Sequence, residues 1–178
     1  MAEGSASWQQ WGAALARLLR RLAGRQRPQD RAARDAARAG RSYPGDFTGM
    51  PEITYAPRDD AHADAGEVVW AWVPFEEDHS QGKDRPVLLI GHDGGWLLGL
   101  PLTSKNHADD ARPASSRSRR WVDIGSGAWD RQRRPSEARV DRVIRIDPRT
   151  VRRIGSVLER GRFDAVADAV RRRHDRGR

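Results

Sequence analysis

Three short stretches of this chain carry side chains that can grip an anion and move a proton. The first is HSQGKDRPVLLIG, residues 79–91. His79 stands six residues before Arg85, and Arg85 leads through a proline into an aliphatic run. A guanidinium fixed at the mouth of a strand can clamp a phosphate or carboxylate with two parallel hydrogen bonds. The second stretch is Thr103-Ser104, whose hydroxyls can serve an anion's oxygens. The third is Arg139-Val140-Asp141. Residues i and i+2 of a strand share a face about 7 Å apart, which sets a cation beside a carboxylate.

Each stretch also has a plainer reading. Arg139 and Asp141 make an ion pair on a solvent face, worth under about 1 kcal/mol. A loop histidine such as His79 is commonly just polar. Arg85 can cap a sheet edge, and Thr103 and Ser104 can simply end a strand. Glu76, Glu77 and Asp78 precede His79. They repel an anionic ligand, gate it, or pair with nearby arginines. Lys105, Arg112, Arg117, Arg119 and Arg120 form a basic loop that holds backbone phosphates or only solubilises the chain. Trp129 is a candidate for stacking on a base. Trp70, Trp72, Trp96 and Trp121 suit a core or a subunit seam. His62, His79, His92, His107 and His174 fall in no metal-ligand spacing, so neither a metal nor another cofactor is expected.

The elements that would position these groups follow from periodicity. Residues 67–75 (EVVWAWVPF) read as a strand, and 76–84 as a polar loop. Residues 85–91 and 96–104 form two more strands, joined by a tight turn at HDGG. After the basic loop 105–120 come a short strand at 121–125, a loop at 126–136 and a last strand at 137–146. There Val140, Ile144 and Ile146 face the core, and Arg139, Asp141 and Arg145 face outward. The segment after Pro148 has apolar residues at helical spacing, with Gly155 and Gly161 dividing it into two helices. Upstream, Trp8, Trp11, Leu15, Leu18 and Leu22 make an amphipathic helix over 6–24, stopped by Gly24. An Arg/Ala-rich segment follows. Residues 44–65, rich in Pro and Gly, read as a linker with an extended piece at 53–55. The expected fold is α+β and mainly β: a small, strongly bent antiparallel sheet with C-terminal helices and an N-terminal helical extension. The divisions are 1–43, 44–65, 66–172 and a basic tail at 173–178.

Composition narrows the class. The 178 residues suffice for one domain plus extensions. With no cysteine, disulfides and thiolate metal sites are excluded, which fits a reducing, cytoplasmic setting. No stretch reaches the roughly 20 apolar residues of a membrane span, and arginines interrupt the first helix too often for a signal peptide. The formal net charge is +8. Residues 66–147 are neutral, with 13 basic and 13 acidic side chains, while 148–178 hold 10 basic against 4 acidic. Only two of the 33 basic residues are lysines, so base composition accounts for part of the arginine excess.

The order of motifs resembles the MazF/PemK family of bacterial toxin–antitoxin endoribonucleases. The matching motifs are Gly-Glu-Val-Val-Trp (66–70), a gapped loop, Arg-Pro-Val-Leu (85–88), a hairpin, and Pro-Leu-Thr-Ser (101–104). The similarity spans about residues 66–170. It implies an SH3-like small barrel, a homodimer, and metal-independent cleavage of single-stranded RNA (mRNA, tRNA or rRNA). It also implies a cognate antitoxin protein that enters the same groove. RNA supplies its own nucleophile, because the 2′-hydroxyl lies beside the scissile phosphate. Such an enzyme needs a base, a cation for the phosphorane and a proton donor.

Arg85 and Thr103 match active-site residues of MazF-like toxins. His79 and Arg139-x-Asp141 match the PemK/Kid branch, where the aspartate is the base, the arginine the acid, and the histidine helps to hold the phosphate. Both schemes have their residues here, and they can form one site. Ser104, Lys105, Arg117, Arg119, Arg120 and Trp129 are the candidate substrate contacts. A rival is a non-catalytic SH3-like interaction module of the CcdB type, because fold alone does not fix function. The Trp8–Leu22 stripe suggests a built-in restraint on the barrel or the dimer groove. A helix that thickens the core or lies on a membrane explains it equally well.

Overall fold

Residues 67–74 alternate β-branched and aromatic side chains, and in an extended chain successive side chains point to opposite faces. In the computed structural model this segment is strand β1 (Glu67–Pro74). The structure describes residues 43–104 and 120–175, with backbone alone for 153–155. The expected N-terminal helix, the Arg/Ala-rich segment, and Lys105, Arg112, Arg117 and Arg119 lie outside the described residues. Strands β2 (Gly82–Asp93) and β3 (Trp96–Thr103) form the hairpin read from the sequence. Asp93 pairs with Trp96 across Gly94-Gly95. Gly94 has φ 57°, which a residue with a side chain rarely adopts.

Strand β4 (Trp121–Gly125) follows, then β5 (Ser136–Arg139) and β6 (Ile144–Ile146). The expected single strand 137–146 is therefore broken at 140–143. Both pieces run along β3: Leu102 and Thr103 pair with Ala138 and Glu137, while Leu97, Leu98 and Gly99 pair with Ile146, Arg145 and Ile144. The break puts a turn at Asp141, where a continuous strand would have run straight on.

The C-terminal region departs most from expectation. A short 3-10 turn at 148–150 leads into strand β7 (Arg152–Val157), which pairs with β1. One helix follows, α1 (Arg160–Asp175). Val151, Ile154 and Val157 suit a strand as well as a helix, and the free edge of β1 decides for the strand. The start of α1 is capped by Glu159, whose carboxylate accepts from the backbone N–H of Gly161 (2.8 Å) and Arg162 (3.1 Å).

The strand order is β4-β5-β3-β2-β1-β7, with β6 beside β3. β4 and β7 end this path, so the sheet curls as a half-barrel and is not the closed barrel expected from the resemblance. Both faces are buried. On one, Val68, Leu88, Leu98, Leu100 and Leu102 pack with Phe163, Val166, Ala167 and Val170 of α1. On the other, Val69, Val87 and Leu89 meet Leu97, Ile144 and Ile146. Two buried faces explain why the strands read as continuous apolar runs without strict alternation.

The stretch read as a linker is a strap laid on the sheet. Phe47, Ile53 and Tyr55 pack on the α1-side core. Thr54 N–H donates to Ile90 O at 3.0 Å, and Phe47 bridges to Val143. Gly91 makes the close approach possible: a Cβ there would lie 2.2 Å from Glu52 O. Asp46 holds the strap's start by accepting two bonds from Arg142, at 2.7 and 3.1 Å. Arg145 Nη1 donates to the carbonyls of Gly45 and Asp46 at 3.0 and 2.9 Å.

Burial alone would raise the Asp46 carboxyl, but the Arg142 and Tyr43 hydrogen bonds outweigh it and hold the carboxyl below its ordinary range. A carboxyl depressed on folding adds stability that is complete above its unfolded value, about 3.9. That stability is lost as pH falls through the folded value. Asp46→Asn is expected to cost about 2 kcal/mol at pH 7, the scale of a hydrogen bond to a charged group. The gap between variant and wild type should close in acid below pH 4, as read by denaturant midpoints across pH. A gap that stays constant to pH 2 would contradict the assignment.

Candidate functional site

The candidate residues fall on neighbouring strands. Thr103 on β3 lies opposite Glu137 on β5, and Glu137 lies opposite Asp123 on β4. Arg85 on β2 lies opposite Ala71 on β1. The β2–β3 register ends with Val87 opposite Pro101, so Arg85 and Thr103 each lie two residues beyond the last pair of that ladder. Arg139 stands two residues along β5 from Glu137, on the same face. Thr103 is buried, Ser104 and Arg85 are half-buried. Among the described residues Arg85 has no hydrogen-bond or ion-pair partner, so its guanidinium is available to a ligand.

Arg139 is fully engaged. Its Nε donates to Asp141 Oδ1 at 2.8 Å. Its two terminal nitrogens donate to the carboxylate of Glu76, Nη2 at 3.2 Å. Asp141 also faces Arg120 Nη1 at 3.5 Å. The carboxylates differ sharply in exposure: the Asp141 side chain is 7% exposed and that of Glu76 52%. Asp141 is thus a built-in partner, and Glu76 is one that water can replace. Burial pulls the Arg139 guanidinium down, but the bonds to Glu76 and Asp141 outweigh it and raise its pKa further above the ordinary value. Arg139 holds its proton tightly.

Asp141 lies in the turn at 140–143, and its carboxylate meets the Arg139 guanidinium there. Arg120, a candidate phosphate contact, approaches Asp141 here.

His79 lies on the same loop as Glu76 but belongs to a second cluster. Its ring meets Tyr43 edge-on, with centroids 5.1 Å apart. The Tyr43 hydroxyl donates to Asp46, the carboxylate that Arg142 grips. Among the described residues, His79 makes no direct contact with Arg139 or Asp141.

Trp129 corrects an expectation. It is buried, its Nε1 donates to Ser136 Oγ at 3.1 Å, and its ring covers Gly127, where a Cβ would lie 2.1 Å from the ring. A core tryptophan cannot stack on a base. Trp70, Trp72, Trp96 and Trp121 are the half-buried ones. Sequence reading passed over Tyr43, Asp46 and Arg142. Asp46 meets Arg142 across 96 residues of chain, and no local spacing signals such a contact.

Residues 64–173 match the family of PemK-like, MazF-like toxins of type II toxin–antitoxin systems. The chain belongs to this family. No curated protein matches it. PemK/MazF-like toxins are generally endoribonucleases, and an antitoxin is the partner the family implies. In this family member, no helix among the described residues is long and apolar enough to cross a membrane.

The strap 43–63 lies before the matched span, and the Arg139–Asp141–Glu76 cluster lies within it. The Glu76 carboxylate fills the side of the Arg139 fork that a phosphate oxygen pair would take. Glu76→Gln should tighten binding of a 2′-deoxy oligonucleotide several-fold at low salt, measured by fluorescence anisotropy. Glu77→Gln should change it less. Equal gains from both substitutions would show a general charge effect and no competition for Arg139.

Proposed function

We propose that this toxin is a metal-independent, sequence-selective endoribonuclease acting on single-stranded RNA. The observation that carries the reading is the Arg139 fork, held by the buried Asp141 on one side and by the displaceable Glu76 on the other. RNA entering the site replaces Glu76 with a scissile phosphate. Asp141 takes the proton of the 2′-hydroxyl, the 2′-oxygen bonds to phosphorus, and the bond to the 5′-oxygen breaks. A 2′,3′-cyclic phosphate remains on one fragment, and the leaving oxygen gains a proton.

The tight hold of Arg139 on its proton favours it as the charge that stabilises the phosphorane over the acid role it has in the PemK/Kid scheme. His79, on the loop that carries Glu76, is then the second proton-transfer group. Arg85 and the Thr103 and Ser104 hydroxyls serve the remaining phosphate oxygens. Lys105, Arg117 and Arg119 are further candidate phosphate contacts by residue type. A homodimer in the cytoplasm, with an antitoxin entering the same groove, completes the reading.

One observation favours the rival, a non-catalytic binding module: Glu76 already neutralises the Arg139 fork. RNA cleavage in EDTA separates the two. Wild-type protein should cut a long mixed RNA at discrete sites. Asp141→Asn should lower the rate by a hundredfold or more, roughly the scale of a lost general base. Arg85→Ala should weaken cleavage while the protein stays folded. A folded wild-type protein that makes no cuts would move the reading to the binding module.

A further inference from the structure

We propose that the segment 43–47 is a working part of the site, in which Tyr43 and Asp46 are positioning residues for His79 and for the turn that carries Asp141. This rests on the endoribonuclease reading above. The segment lies before the span that matches the toxin family.

The strap touches both halves of the site. On one side, the Tyr43 ring meets the His79 ring on the loop that also holds Glu76. On the other, Asp46 grips Arg142, the residue directly after Asp141. Phe47 N–H donates to Val143 O at 2.8 Å, at the far end of the same turn. Arg145 lies over the Phe47 ring at 5.1 Å and donates to two strap carbonyls. The Tyr43 hydroxyl joins the two sides by donating to Asp46.

The chemistry of these groups suits a fixed support. Arg142 is 8% exposed. A guanidinium so buried cannot shed its charge, so losing Asp46 would strand it. The turn would then shift to rehydrate it, and Asp141 would move with it. Burial first, and then the bond to Asp46, push the Tyr43 hydroxyl above its ordinary range. It therefore remains a donor at every pH at which the protein works, and its ring stays set against His79. Proton transfer depends steeply on such placement, and a shift of about 1 Å can cost a hundredfold in rate.

A structural strap and a positioning strap differ in one measurable way. A strap that only stabilises the fold lowers the folded fraction and acts whether or not His79 is present. A strap that positions His79 acts only through it. The experiment is a kinetic double-mutant cycle on the full chain with Tyr43→Ala, His79→Ala and the double variant, using a fixed RNA in EDTA. Rates are normalised to the folded fraction. Tyr43→Ala should lower kcat about tenfold to a hundredfold with KM little changed. In the His79→Ala background the same substitution should have almost no further effect.

The His79 ring-proton signals should also lose the ring-current shift from Tyr43. Tyr43→Phe keeps the ring and should lose less activity than Tyr43→Ala. Should Tyr43→Ala fail to fold, Tyr43→Phe and Asp46→Asn take its place in the cycle. Wild-type kcat in folded Tyr43→Ala, or an equal loss in both backgrounds, overturns the proposal. A folded wild-type protein that cleaves no RNA removes the endoribonuclease reading itself, and the positioning role with it. A deletion meant to test restraint by the N-terminal residues must therefore stop at residue 42, since removing Tyr43 would lower activity for a separate reason.

Discussion

An arginine cannot shed its charge at any pH a protein meets, so each one taken from water must be given an anion. Three arginines in one seven-residue stretch impose that demand here. Arg139, Arg142 and Arg145 are 19%, 8% and 19% exposed. Each draws in a carboxylate from a different part of the chain. Arg139 takes Asp141 and Glu76, Arg142 takes Asp46, and Arg145 takes Asp93. Through these pairs the stretch anchors the loop after β1, the strap before the sheet, and the β2–β3 hairpin. Removing Asp46 or Asp93 would leave Arg142 or Arg145 without its anion, whereas Arg139 has two. Asp141 and Arg142 both lie in the break between β5 and β6.

The same constraint sets the character of the site. A cation proposed to meet a phosphate has to be accommodated while the phosphate is absent. Asp141 supplies permanent compensation from a buried position, and Glu76 supplies temporary compensation from an exposed one. The acidic loop, which at first sight argues against an anionic ligand, is in part a resting partner for Arg139. Arg85, within β2, has no such partner among the described residues.

Much of this was legible in the sequence because it is local. β1, β2, β3 and β4 follow from β-branched and aromatic runs bounded by turns, and Gly94 marks the hairpin. The pairing of Arg139 with Asp141 was visible as a two-residue step, although its geometry depends on a turn that the step does not announce. The family could be read from four motifs in order. Other features depend on distant partners and were not legible. Residues 152–157 became a strand because β1 offered a free edge. Residues 43–65 look like a linker in composition, yet Phe47, Ile53 and Tyr55 find a core to enter. Trp129 looks like a loop aromatic until Gly127 and Ser136 are seen to make room and a partner for it. Asp46 and Arg142 carry no local sign of each other.

The central claim is that the Arg139–Asp141 cluster acts on an RNA phosphate through the neighbouring 2′-hydroxyl. It is tested most directly by mapping a cut on a mixed-sequence RNA in EDTA. The assay is then repeated on the same RNA with a single 2′-deoxy nucleotide on the 5′ side of that cut. The account predicts that cleavage vanishes at that position alone and continues at the others, with 2′,3′-cyclic phosphate ends. Cleavage that persists at the 2′-deoxy position would contradict it.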